Sequence, residues 1–135
     1  MRTLVITLVV ATAVAGCTYV VAASAGGSGG PAAFALVDPN GGSPRLIAEQ
    51  TSGFVSVSHG AVGTGDYCLT PSAGVNVVGT AATASQEAFY SSAVGVVLVR
   101  YQPGHPNCAA NQLEVKTFAL GDGLSDQIAF TVNVP

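Results

Sequence analysis

Residues 128–134 read Ile-Ala-Phe-Thr-Val-Asn-Val, with Ile128, Phe130, Val132 and Val134 at every second position. Successive side chains of a strand point to opposite faces, so this spacing makes one continuous apolar face on an extended segment. The same period returns in "FVSVSH" at 54–59, where Val55 and Val57 oppose Ser56 and Ser58. It returns again in "LEVKTFAL" at 113–120, where Leu113 and Val115 oppose Glu114 and Lys116. Strands with one apolar face must bury it against a second layer.

The intervening segments fit that scheme. "FALV" at 34–37 runs into Asp38-Pro39-Asn40-Gly41-Gly42, residues that favour turns, and "RLIA" at 45–48 reads as the return strand of a hairpin. "DYCLT" at 66–70 is the expected partner of 54–59 across the loop "GAVGTG". "VGVVLVRYQ" at 94–102 is β-branched and apolar on both faces, which predicts the central, most buried strand. "TAATASQEAFYS" at 80–91 is open between a short helix, from its alanines, and a loop with a weak strand at 88–91. Seven to nine short strands parted by turn residues predict an all-β fold, a single antiparallel β-sandwich. Immunoglobulin identity is disfavoured, because the chain has no Trp and Pro106 stands two residues before Cys108, where that fold places Tyr.

Charge narrows the function. Charged residues are 8% of the 135, against about 25% in ordinary soluble proteins. The polar surface therefore rests on Ser, Thr, Asn, Gln and Gly, which suits an extracellular β-rich domain better than a helical one. Beyond residue 25 the cations are Arg45, Arg100 and Lys116, facing seven acids. Three scattered cations make no phosphate-binding patch, so nucleic acid is not an expected partner.

The N-terminus predicts export. Arg2 precedes the unbroken run Leu4–Val14 of apolar residues and Thr, the pattern of a secretory signal. The run ends in Val14-Ala15-Gly16-Cys17, which resembles the lipobox of bacterial lipoproteins. That resemblance implies diacylglyceryl transfer to the Cys17 thiol and cleavage before it, with residues 1–16 as the signal. In the alternative, residues 1–25 are removed by a cut after Ala23-Ser24-Ala25, and Cys17 goes with them. Two further readings keep Leu4–Ala25 as an uncleaved membrane anchor, or Cys17 as a buried cysteine in an N-terminal strand. Gly26-Gly27-Ser28-Gly29-Gly30-Pro31 offers no side chain to a core, so 17–31 reads as a flexible linker and 32–135 as the folded domain.

Cysteine count supports export. The chain has three cysteines, and an odd count in an exported protein needs an explanation. If Cys17 is acylated or removed, Cys68 and Cys108 remain to pair in an oxidising compartment. One cysteine pair with two distant histidines is poor zinc spacing, so no metal is expected there.

Three stretches resemble small exported bacterial domains of unknown function: "GTGDYCLTP" at 63–71, "HPNCAANQLEVKTF" at 105–118 and "DQIAFTVNVP" at 126–135. Those domains pair a Gly-x-Tyr-Cys strand with a later Cys before a Glu-x-x-Thr-Phe strand. The resemblance implies a β domain tied by one disulfide, and it carries no catalytic residues.

Nothing in the residue pattern assembles a catalytic site. His59 lies in the Val55, Val57 register and reads as a structural residue at a strand end; His105, in "QPGHPN", reads as an exposed turn residue. The sequence has no Ser-x-x-Lys motif, and Gly26-Gly27-Ser28-Gly29-Gly30, in the linker, makes no nucleophile elbow. Asp122 and Asp126 in "GDGLSD" read as a turn and lack the calcium-loop pattern. Tyr67, beside Cys68, is expected to pack on the disulfide. The expectation is therefore a non-enzymatic module without a cofactor, held at the cell surface by lipid on Cys17 and meeting a protein or envelope component. The alternative is a soluble secreted binding or inhibitor domain that presents the loop Pro103, Gly104, His105, Pro106 and Asn107, stiffened by its prolines and by Cys108.

Overall fold

A computed structural model describes residues 32–100 and 107–135. Among these described residues, nine strands form two antiparallel sheets: β1 Ala33–Asp38, β2 Arg45–Leu46, β3 Phe54–Gly60, β4 Gly63–Pro71, β5 Thr83–Glu87, β6 Gly95–Arg100, β7 Leu113–Ala119, β8 Gly123–Leu124 and β9 Ala129–Val134. The first sheet has the order β2-β1-β9-β5; the second has β3-β4-β7-β6, with β8 paired to β7. Helical geometry among the described residues is confined to two short 3-10 turns, Asn40–Gly42 and Ala48–Gln50.

The core is the space between the sheets. Ala33, Ala35 and Val37 of β1 and Phe130, Val132 and Val134 of β9 face Tyr67 and Leu69 of β4 and Leu113 and Val115 of β7, with Phe54 and Val77 at the margins. Each large apolar side chain buried here contributes about 1.5–3 kcal/mol relative to exposure. The period-two reading of 128–134 holds: Ile128, Phe130, Val132 and Val134 are all buried. The hairpin read across 38–42 also holds, with Val37 opposite Leu46 and Asp38 opposite Arg45. Asp38 fixes that turn. It accepts the Asn40 N–H at 2.9 Å and pairs with Arg45 at 2.8 Å.

Three expectations change. The segment read as the central strand, β6, is an edge strand. Its inner row, Val97 and Val99, packs on the core, but Val96 and Leu98 face solvent, Leu98 at 51% exposure. The central position belongs to β7, paired to β4 on one side and β6 on the other. In β3 the pairing shifts between Phe54 and Ser56. That bulge turns Val55 out to solvent while Phe54, Val57 and His59 face inward. Residues 83–87 form neither a helix nor a loop but strand β5, whose Thr83 and Ser85 alternate outward with Ala84 and Gln86 on the less exposed side.

Candidate functional site

The outer face of the second sheet carries charged side chains that are covered rather than left in water. Alternation along β4 points Tyr67 and Leu69 into the core, so Asp66 and Cys68 point out. Alternation along β7 likewise points Glu114 and Lys116 out, and the register sets Asp66 opposite Lys116 and Cys68 opposite Glu114. A segment crosses over this face. Cys108 is bonded to Cys68 with their Cα atoms 5.5 Å apart, within the usual range for a disulfide. Asn107 accepts the Ala61 N–H through its carbonyl at 3.0 Å and donates from Nδ2 to Glu114 at 3.2 Å. Gly60 lets the segment close down, because a Cβ there would overlap the Asp66 carboxyl and crowd the Asn107 carbonyl.

The result is a buried ionic cluster. Asp66 is 0% and Glu114 3% exposed, and the Lys116 side chain is 14% exposed. Lys116 Nζ lies 3.1 Å from Asp66 Oδ1 and 3.2 Å from Glu114 Oε1, with Arg100 3.9 Å from Glu114 Oε1. Burial pushes the Asp66 carboxyl above the usual carboxylate range; Lys116 opposes this, and the neighbouring Glu114 adds to it. Burial alone would raise Glu114 as well, but hydrogen bonds from Lys116, Asn107 and Asp66 outweigh it and hold Glu114 below its ordinary value. With both acids ionised, neither Asp66 oxygen has an aligned hydrogen-bond donor. The cluster therefore holds two carboxyls, Asp66 pushed toward its neutral form and Glu114 toward its ionised form, and one lysine within reach of both.

A second polar group sits where β3, β4 and the segment before β9 meet. Asp126 Oδ1 accepts the Gly65 N–H and the Tyr67 hydroxyl, each at 2.7 Å. Gly65 sits at φ +69, and a side chain there would strike Ser125 and Thr117 backbone. His59 stacks on Tyr67 with ring centroids 5.3 Å apart and has Nε2 3.7 Å from Asp126 Oδ2. Its ring nitrogens face the carbonyls of Gly63 and Gly42, each at 3.1 Å. An imidazole engaged at both nitrogens is placed to clamp backbone rather than to take a proton from a substrate.

The expected site residues divide. Cys68 and Cys108 meet as read from the sequence. Cys17, the signal and the linker to residue 31 lie outside the described residues, as do Pro103, Gly104, His105 and Pro106 of the expected partner loop. Its last member, Asn107, is fixed to Ala61 and Glu114. Tyr67 does not pack on the disulfide. It points to the opposite face and packs on Phe130, with centroids 5.3 Å apart. Asp126 faces Tyr67, whereas Asp122 is exposed, so the two do not form a carboxylate pair. Among the described residues, no group of three or more His, Cys, Asp or Glu is arranged to hold a metal.

Sequence alone does not reveal the Asp66–Glu114–Lys116 cluster. Its signal is the alternation of Glu114 and Lys116 against Leu113 and Val115, but that pattern reads as a solvated face until a covering segment is known. No family model, no curated protein and no solved structure matches this chain.

Proposed function

We propose that this chain is an exported, non-enzymatic β-sandwich that serves at the cell surface as a structural or interaction module. The observation that carries the reading is the Cys68–Cys108 disulfide, which suggests an oxidising, extracellular environment. Among the described residues, no helix is long and apolar enough to cross a membrane. Attachment is assigned to Cys17, as a lipidated first residue of the mature chain, on the resemblance of Val14-Ala15-Gly16-Cys17 to a lipobox. The backbone engagement of both His59 nitrogens supports a structural role for that residue, and a His59→Ala protein should keep its biological activity within a few-fold. The expected partner is a protein or another envelope component.

Intact mass of the protein recovered from its native host tests the anchor. A mature chain that begins at Cys17 and carries added acyl mass is the expected result. A mature N-terminus at Gly26 without lipid would remove the anchor and leave the alternative, a soluble secreted domain that binds or inhibits its partner through residues 103–107.

A further inference from the structure

The buried cluster contains what amide formation requires, and a salt bridge alone explains little of its placement. Two carboxyls and an ammonium are taken out of water on the outer face of a sheet, where uncharged polar residues would have cost less. Asp66 and Lys116 are direct cross-strand partners whose reacting groups already touch, and Glu114 touches Lys116 as well. A cavity of about 320 Å³ lined by Leu98, Val99, Arg100 and Lys116 opens beside the amine and gives a small leaving molecule a way out.

We propose that Lys116 and Asp66 are joined by an isopeptide bond that forms within the folded domain, with Glu114 carrying the protons. The Lys116 ammonium gives one proton to the Glu114 carboxylate. The free amine attacks Cγ of the protonated Asp66 carboxyl, forming a C–N bond and a tetrahedral centre. Glu114 then delivers a proton to one Asp66 oxygen, the C–O bond breaks and water leaves. Of the two protons lost by the ammonium, one departs in that water and the other remains on Glu114. Nothing is oxidised or reduced, and no co-reactant is needed.

The upward push that burial gives Asp66 favours this step, because a carboxylic acid accepts an amine where a carboxylate does not. Condensation of an acid and an amine is unfavourable between free molecules in water. Held reactants gain effective molarities of about 10⁵–10⁸ M, and a site closed by Asn107 and the disulfide keeps bulk water from reversing the bond. The product ties β4 to β7 beside the disulfide and replaces a buried ion pair by an amide.

Tryptic digestion of the exported protein after full reduction and alkylation tests the bond directly. Trypsin does not cut after an amidated lysine, so Leu46–Arg100 should remain joined to Tyr101–Pro135 as one branched peptide. Recovery of Leu46–Arg100, Tyr101–Lys116 and Thr117–Pro135 as three separate peptides from the wild-type protein would overturn the proposal. The linked protein should also be about 18 Da lighter, one water, than its reduced sequence mass. Lys116→Arg should give separate peptides, and a persisting branch would show that Lys116 is not the donor. Glu114→Gln should slow bond formation by roughly a hundredfold or more, the scale of a lost proton carrier. Linkage as fast as in the wild type would remove Glu114 from the chemistry. Should either variant fail to fold, the wild-type digest still separates a linked chain from an unlinked one.

Discussion

At the scale of single residues, Tyr67 joins more of the molecule than any neighbour in sequence reveals. Its ring packs on Phe130 of the opposite sheet, and its hydroxyl donates to Asp126. Burial, and then the hydrogen bond and negative charge of Asp126, push the phenol well above its ordinary value near 10. A phenol raised in the folded state contributes stability that is fully present below about pH 10 and is lost progressively as pH rises above that unfolded value toward the raised folded one. Urea unfolding at neutral pH and at about pH 11 should therefore show an alkaline loss in the wild type that is smaller in Tyr67→Phe. An equal loss in both proteins would refute this reading. At neutral pH the same change should cost about 1.5–3 kcal/mol, the range for a hydrogen bond to a charged group. Cys68→Ala should cost roughly 2–5 kcal/mol in the same assay, since it removes the constraint on a long loop. The two residues differ in how far the sequence exposes them. The disulfide followed from counting cysteines. The Tyr67–Asp126 bond did not, because its partners lie 59 positions apart and no local spacing marks them.

At the scale of elements, β9 and β6 teach opposite lessons. Alternation at 128–134 has one interpretation, a strand with one buried face, and the fold obeys it. An apolar run such as 94–100 has two interpretations. It suits a strand covered on both sides, or an edge strand whose outer apolar row stays in water. Pairing order decides between them, and pairing order is a property of the whole chain. The same reason hides the bulge at Val55, since one extra residue inverts the face of everything before it. The alanines at 81, 82 and 84 favour a helix locally, yet β5 forms because the edge of β9 offers it a ladder. Comparative mutagenesis measures these positions. Phe130→Ala should destabilise by about 3–5 kcal/mol, whereas Leu98→Ala should stay within about 0.5 kcal/mol of wild type. Similar losses at the two sites would mean that β6 is covered after all.

At the scale of the whole molecule, the sandwich class was legible because it depends on the number and period of strands, which survive errors of a few residues. The charged cluster was not legible, because it needs register in the second sheet and the covering segment at Asn107 together. Attachment of the intact protein is a question at this scale too. If Cys17 carries two or three acyl chains, the protein should remain with membranes through a high-salt wash and partition into detergent, because apolar attachment is not screened by ions. Release by salt alone would contradict a lipid anchor. In the first sheet, β1 and β9 are antiparallel neighbours, with Ala33 opposite Val134. The two ends of the folded unit therefore emerge side by side. A force applied through them would peel this ladder open one rung at a time, the weakest direction in which to pull a pair of strands, while β4, β7 and the disulfide stood outside the line of tension. Such a fold tolerates being hung by one end at a surface and resists poorly being stretched between two.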